Sequence, residues 1–178
     1  MEHEELVAIL NIPKENIVIN DLDQVTSFLK ERGIDFSIWE ANKPLTDKDT
    51  QEDILSAYEH ELTPFMKEKG FKTADVISVN PKTENIEAIR EKFLKEHTHS
   101  EDEVRFFVDG EGLFWFHVKG EVFSLLCKKG DFLSVPAGYT HWFDLAPAYT
   151  VKAIRIFTSM EGWVANYTNS GIDEKYNK

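Results

Sequence analysis

Three histidines and one glutamate stand at spacings that suit a metal site. His97 and His99 are separated by one residue, Glu103 follows shortly after them, and His141 lies further along the chain. Side chains of a strand alternate between its two faces, so the even spacing allows the first three to project together. A later antiparallel strand would bring His141 opposite them. Three neutral imidazoles and one carboxylate suit iron, nickel, copper or zinc. The alternative is that these are unrelated surface or capping histidines.

Arg105 continues the parity of Glu103, so a strand through both residues places the guanidinium on the same inner face. A buried arginine needs a partner, and an anionic substrate oxygen would provide one. The alternative partner is one of the chain's many carboxylates. Phe143 follows the last of the three histidines by two residues and should line the same interior. The pattern alone favours ordinary core packing for Phe143, as it does for Phe93 and Trp163.

The same residues fall within two motifs that resemble those of the cupin superfamily. The motifs are His97-x-His99-x-x-x-Glu103 followed by Gly110, and Gly130 followed by Pro136-x-Gly138-x-x-His141. The glycine expected before the first motif is missing, since position 91 is Glu91, and Leu145 stands where many cupins carry Asn. The resemblance implies a double-stranded β-helix, a jelly-roll barrel that holds its metal inside.

A narrower resemblance, to the bacterial acireductone dioxygenases, extends over nearly the whole chain. It is carried by Phe93-Leu-Lys-Glu-His-Thr-His99-Ser-Glu-Asp-Glu-Val-Arg-Phe-Phe107, Ser134-Val-Pro-Ala137, His141-Trp-Phe143, Ala153-Ile-Arg-Ile-Phe157 and Glu161-Gly-Trp163. The resemblance implies an enzyme of methionine salvage that cleaves acireductone, 1,2-dihydroxy-3-keto-5-methylthiopentene, with O2. It also implies one Fe(II) or Ni(II) ion per chain. The iron form would give formate and 2-keto-4-methylthiobutyrate, and the nickel form carbon monoxide, formate and 3-methylthiopropionate.

The resemblance also assigns roles to individual residues. The arginine that matches Arg105 contacts substrate at the metal, which implies a catalytic and substrate-binding role for Arg105. The aromatic residues that match Phe93, Phe143 and Trp163 surround the methylthioalkyl chain of the substrate, so these three are expected to be pocket walls. Trp142 has the opposite parity to Phe143 and should be structural.

The elements that would position these residues change character along the chain. Residues 1–95 are helix-rich, residues from about 96 to 160 are strand-rich, and a polar, loosely held tail covers 164–178. Apolar residues at helical spacing predict helices between Asp21 and Gly33, from about Thr50 to Lys69 with an interruption at Pro64, and from Glu84 to Lys95. Glu96 follows the last helix, where a solvated carboxylate is a simpler expectation than a base or a hydrogen-bond partner of a metal ligand.

Short aromatic and β-branched segments predict the strands. They are Ile34–Trp39, Ala74–Val79, Val104–Val108, Gly112–Val118, Glu121–Cys127, Phe132–Val135 and Val151–Phe157. Asp109-Gly110, Lys119-Gly120 and Lys129-Gly130 are typical of hairpin turns. The expected fold is therefore α+β and mainly β, a single cupin domain over 1–178 with N-terminal helices packed outside the barrel.

Composition restricts the partners and the compartment. The chain has 178 residues, with 32 acidic and 20 basic residues and a formal net charge of −12. This charge disfavours nucleic acid and anionic membrane surfaces. One cysteine, Cys127, excludes an internal disulfide, and neither a signal segment nor a membrane-spanning run is evident. We expect a cytoplasmic monomer whose partners are a small-molecule substrate and O2.

The sequence is also compatible with two other classes of function. Another metal-dependent cupin enzyme, such as a diketone or flavonol dioxygenase or a sugar isomerase, would share the four ligands without needing Arg105 or a methylthioalkyl pocket. A non-enzymatic ligand-binding or regulatory cupin would use the metal for stability. A regulator usually adds a helix-turn-helix or a basic patch, and neither is evident in the sequence.

Overall fold

The computed structural model describes residues 8–159 and 164–176. The strands are β1 (Ile9–Ile12), β2 (Ile17–Ile19), β3 (Asp35–Ile38), β4 (Thr73–Val79), β5 (His97–Thr98), β6 (Glu103–Val118), β7 (Glu121–Lys128), β8 (Asp131–Val135), β9 (Thr140–Asp144), β10 (Val151–Phe157) and β11 (Asn166–Tyr167). The helices are α1 (Leu22–Glu31), α2 (Gln51–Ala57), α3 (Glu59–Lys69), α4 (Ile86–Leu94) and α5 (Ile172–Tyr176).

The long strand β6 belongs to two antiparallel sheets. One sheet has the strand order β2-β1-β7-β6-β9-β5-β11, and the other has the order β4-β10-β6-β8-β3. Apolar side chains of both sheets form one shared interior core. The predicted mainly-β, jelly-roll fold is confirmed, although the hydrogen-bonded ladders of the described strands do not close into a ring.

The prediction of a hairpin turn at Asp109-Gly110 is wrong, because β6 runs straight through these residues. The register of β10 against β6 shifts between Lys152 and Ala153, which is the irregularity of a β-bulge. Gly110 has a φ of 68°, and a Cβ there would lie 2.1 Å from the carbonyl oxygen of Thr150. The bulge lets β6 leave β10 and pair with β7 from Glu111 onward.

Helices α2 and α3 lie on the outer face of the second sheet. Ile54, Tyr58 and Leu62 of the α2–α3 region pack in one buried cluster with Phe106 of β6 and Ile154 of β10. The predicted helix interruption lies at Tyr58 rather than at Pro64, which sits inside α3. Tyr58 is fully buried and its hydroxyl accepts a hydrogen bond from the Lys43 amide, so tertiary packing determines where the helix breaks.

The C-terminal segment is not the loosely held tail that its polarity predicts. β11 pairs with β5, and Tyr167 lies opposite His97 in this register. Tyr176 of α5 packs against the stacked rings of Trp115 and Trp142 on the outer face of the first sheet. Among the described residues, none of the helices has the length and apolar character needed to span a membrane.

Candidate metal centre

Strand pairing brings the three predicted histidine ligands together. His97 of β5 lies directly opposite His141 of β9, and His99 follows β5 immediately. One ring nitrogen of each of these residues lies within 4.8 Å of the others. All three side chains are buried. The group therefore has the spacing of side chains that surround a single ion.

A hydrogen bond at the Nδ1 atom of each histidine fixes the tautomer of its ring. The Nδ1 atom of His97 lies 2.7 Å from the carbonyl oxygen of Lys95, and that of His141 lies 3.0 Å from the carbonyl oxygen of Tyr139. His99 makes the same contact with Val164, at 3.1 Å. A carbonyl oxygen only accepts hydrogen bonds, so each Nδ1 carries the proton. Each Nε2 then presents a lone pair, as a metal ligand must.

Burial also keeps the imidazoles of His97 and His99 neutral. It lowers the pKa of His97 to about 3, and the neighbouring His141 acts in the same direction. Burial likewise lowers the pKa of His99, although the Glu103 carboxylate opposes this effect. Neutral imidazole is the form that binds metal, so neither residue must lose a proton before it coordinates an ion near pH 7.

Glu103 contributes an ionised carboxylate beside this group. Its Oε1 accepts a hydrogen bond from Nη2 of Arg105 at 2.5 Å, and its Oε2 lies 3.1 Å from Nε2 of His141 and 3.6 Å from Nε2 of His99. Burial acts to raise the pKa of Glu103, but opposing influences, above all the charge of Arg105, outweigh burial and hold this pKa well below its usual range.

The chemistry of these donors fits a divalent metal. Oε2 of Glu103 and Nε2 of His141 are both buried and have no hydrogen-bond partner among the described residues. Two lone pairs facing each other at 3.1 Å repel unless a cation lies between them. Adjacent ligands of an ion bound at about 2.1 Å lie about 3 Å apart when their bonds are nearly perpendicular, which matches this separation. Three imidazoles and one carboxylate would hold such an ion.

A cavity of about 260 Å³ opens beside the imidazoles, and Phe93, Arg105 and Phe143 line it. The guanidinium carbon of Arg105 lies 4.7 Å from the ring centre of Phe114 and 4.9 Å from that of Phe143. Its Nε and Nη1 are buried without a hydrogen-bond partner among residues 8–159 and 164–176. Nε and Nη1 of Arg105 are thus free to donate hydrogen bonds to an acceptor in the cavity. The expected pocket wall Trp163 lies outside the described residues.

The structure corrects the expectation for Glu96. This side chain is buried rather than solvated, and its Oε1 accepts hydrogen bonds from the hydroxyls of Thr168 and Ser170. Oε2 lies 3.4 Å from Nδ1 of His117. Glu96 therefore anchors the C-terminal segment next to β5. Trp142 points away from the cavity and packs with Trp115 and Val122 on the outer face of the first sheet, as expected from its parity.

Sequence reasoning missed other residues of the cavity wall, notably Arg155 and Tyr167. Arg155 lies opposite Arg105 in the β6–β10 register, and its Nε and Nη2 donate to the two carboxylate oxygens of Asp75 at 2.9 and 2.5 Å. The sequence feature that could have identified Arg155 is a lone arginine at an inward-facing position of an apolar strand. Tyr167 had no comparable signal, because its position depends on the pairing of β11 with β5.

A double antiparallel sheet that surrounds three buried imidazoles and a carboxylate defines a cupin-type metal-binding protein. The model of the ARD/ARD' family matches residues 14–165, and the chain belongs to this family. The acireductone dioxygenase of Picosynechococcus sp. is 51% identical over 159 residues, which cover 89% of this chain and 90% of that protein. The acireductone dioxygenase of Cronobacter sakazakii is 47% identical, with 88% and 87% covered.

A solved structure shows the same fold. It is an acireductone dioxygenase from Bacillus anthracis with a cadmium ion in its active centre, and it superimposes with a TM-score of 0.82 at 35% sequence identity. The match covers 91% of this chain and 99% of that one. The resemblance that the sequence motifs suggested is therefore confirmed at the level of family and fold.

Proposed function

We propose that this protein is a metal-dependent dioxygenase that cleaves acireductone with O2 in methionine salvage. The proposal rests on two groups of side chains that meet in one cavity, a set of potential metal ligands and a set of hydrogen-bond donors. Three imidazoles present their Nε2 lone pairs beside an ionised Glu103, and Arg105 presents two unpartnered donors to the same cavity. A divalent ion bound there would supply Lewis acidity for an enediolate and a centre for its reaction with O2.

The residues of the chain bind and orient the substrate. Nε and Nη1 of Arg105 would donate hydrogen bonds to an anionic oxygen of the acireductone head. Because Nη2 is held by Glu103 and the guanidinium lies against two aromatic rings, these donors are already oriented before substrate arrives. Donors aimed at developing charge in a site that excludes water are among the strongest contributions to catalysis.

The aromatic side of the cavity would hold the apolar end of the substrate. Phe93 and Phe143 line the cavity and approach each other edge-to-face, with ring centres 6.2 Å apart. An apolar wall suits the methylthioalkyl chain, and it keeps water away from the reacting oxygens. Trp163 belongs to the same proposed wall on the basis of the family pattern.

We also propose that the bound ion selects the products. The same donor set serves Fe(II) and Ni(II), one ion per chain. With iron the products would be formate and 2-keto-4-methylthiobutyrate. With nickel they would be carbon monoxide, formate and 3-methylthiopropionate. Both product sets account for all atoms of the substrate and of one O2 molecule.

We further propose a cytoplasmic monomer with no nucleic-acid or membrane partner, which is supported by the net charge of −12 and the buried, unpaired Cys127.

Reconstitution tests the function and the choice of products together. Metal-free protein is loaded separately with Fe(II) and Ni(II), and O2 uptake and products are measured with acireductone, a flavonol and a sugar phosphate. We expect turnover of acireductone alone, with carbon monoxide released only by the nickel form. Turnover of another substrate would instead favour a different cupin enzyme. If no divalent ion supports O2 uptake with acireductone, a ligand-binding cupin becomes the better description.

A further inference from the structure

Gly112 occupies a position on β6 that no larger residue could share with Phe143. A Cβ at Gly112 would lie 2.1 Å from Cζ and 2.8 Å from Cε2 of the Phe143 ring. Contacts this short are not tolerated, so the ring tip fills the space of the missing side chain. Gly110, on the same strand, has a φ of 68°, whereas Gly112 is absent from the described positive-φ residues. Space, rather than backbone conformation, therefore requires glycine at position 112.

The register shows in which direction the ring points. Phe114 pairs with Phe143, and Phe116 pairs with His141, across β6 and β9. Gly112 precedes Phe114 on the same face of β6, so it lies on the side of Phe143 away from His141. The tip of the ring is thus turned away from the metal-binding group. This ring lines the cavity together with His141 and Arg105.

The ring of Phe143 has little freedom to move elsewhere. The ring of Phe114 lies 5.0 Å away edge-on, that of Phe107 lies 6.3 Å away, and the guanidinium of Arg105 lies 4.9 Å away. Phe107 and Phe114 are fully buried in the interior core. A ring that is expelled from the space at Gly112 must therefore move into the cavity, the open side of its surroundings.

We propose that Gly112 is a specificity-determining residue, because the space it leaves for Phe143 sets the length of substrate chain that the cavity accepts. This inference deepens the proposed function and rests on it. Gly112→Ala would push the ring toward His141 and shorten the apolar end of the cavity, without replacing a metal-binding residue or the hydrogen bond by which Glu103 holds Nη2 of Arg105. The reductone head would still bind, and a long alkyl chain would meet the displaced ring.

The experiment compares acireductone with an analogue whose side chain is shortened to one carbon, on the iron-loaded holoenzyme. For Gly112→Ala we expect kcat/KM to fall about 10-fold or more with acireductone, since one misplaced methylene costs about 10- to 200-fold in an apolar pocket. The loss with the truncated analogue should stay within about 3-fold on the same scale. Leu113→Ala, on the opposite face of β6, is the control and should leave the ratio between the two substrates unchanged.

A second variant separates the proposed effect from general damage to the fold. Leu is shorter than Phe, so the double variant Gly112→Ala/Phe143→Leu should recover preference for the long chain, and Phe143→Leu alone should improve turnover of analogues with one extra methylene. A crystal structure of Gly112→Ala should show the ring displaced toward His141. Equal losses on both substrates, no loss, or an unmoved ring would each overturn the proposal. Absence of acireductone turnover in the unmodified enzyme would instead refute the proposed function, while the ring position would still test the geometry.

Discussion

Arg105 and Glu103 lie two positions apart on β6, and Nη2 of the arginine donates to Oε1 of the glutamate at 2.5 Å. Both side chains are buried, so each stabilises the charge of the other away from water. The pairing leaves Oε2 of Glu103 directed toward the imidazoles and leaves two nitrogens of Arg105 for another partner. One ion pair thus connects the proposed metal-binding group to the proposed substrate-binding group.

Replacing the arginine should separate metal binding from turnover. Arg105→Ala and Arg105→Lys should retain about one metal ion per chain, because the three imidazoles and Glu103 remain. The kcat should fall by about 100- to 1000-fold, the usual effect of removing a donor aimed at developing negative charge. Lysine fails as well, because an ammonium group lacks the planar set of donors that packs against the two rings.

Metal analysis and steady-state kinetics on the same preparations check this prediction. Arg90→Ala provides the control, since Arg90 forms an ion pair of similar geometry with Asp144, its Nε 2.8 Å from Oδ1, but does not line the cavity. Its kcat should be unchanged. Full activity of Arg105→Ala would remove this residue from the site.

The three imidazoles should be needed together for metal binding. His97→Ala or His141→Ala should lower the affinity for Fe(II) and Ni(II) by more than about 100-fold, which exceeds the effect of altering a residue that only supports a ligand. Metal content after gel filtration measures the loss. His60→Ala is the matched control, because His60 is exposed on α3 and should leave the metal content unchanged. Retention of one ion per chain in His97→Ala would contradict the assignment.

Glu96 should hold the C-terminal segment against β5. Glu96→Ala removes the acceptor of the Thr168 and Ser170 hydroxyls, and hydrogen bonds to a charged group contribute about 1.5–3 kcal/mol each. We therefore expect amide hydrogen exchange across 165–170 to accelerate by at least about 10-fold, by the relation between local opening free energy and protection. Glu101→Ala also removes a carboxylate that accepts from hydroxyls, of Thr158 and Ser159. It should leave exchange across 165–170 unchanged, and identical profiles for the two variants would argue against the anchoring role.

Local patterns predicted those parts of the fold and site that local chemistry determines. His97 and His99 share a short motif, and strand alternation is sufficient to place Arg105 on the same side as Glu103. Parity likewise separated Phe143, which lines the cavity, from the outward Trp142. Turn residues were less informative, because a glycine that permits a bulge and one that permits a hairpin look alike. That ambiguity produced the wrong turn at Asp109-Gly110.

Cross-strand register determined what the sequence did not predict. Arg155 meets Asp75 only because β10 pairs with β4, and Tyr167 reaches the cavity only because β11 pairs with β5. The fit between Gly112 and the ring of Phe143 also depends on two strands that are distant in sequence. Glu96 is buried because it accepts hydrogen bonds from the hydroxyls of Thr168 and Ser170, which lie over seventy positions later in the sequence. Long-range pairing of this kind leaves no periodic signal in the residues themselves.

Asp131 should make the stability of the protein depend on pH. Its side chain is fully buried, Oδ2 accepts a hydrogen bond from the Lys128 amide at 2.7 Å, and Oδ1 has no partner in the part of the chain described. Burial raises its pKa to about 7, although the Lys128 amide and charge oppose the shift. The folded protein therefore binds this proton more tightly than the unfolded chain. The contribution of Asp131 to the free energy of unfolding should be greatest below pH 4, fall as pH rises toward 7, and level off above it, by about 2–4 kcal/mol in total.

Asp131→Asn isolates this contribution, because asparagine keeps the acceptor for the Lys128 amide without the charge. Urea unfolding of the metal-loaded proteins between pH 4 and 8 should give similar stabilities at the acid end and a more stable variant at pH 8. Asp21→Asn is the control, since the exposed Asp21 caps α1 through the Gln24 amide and asparagine caps a helix equally well. Its pH profile should follow that of the unmodified protein. If the Asp131→Asn profile also runs parallel to it, the buried carboxyl does not bind its proton preferentially in the folded state.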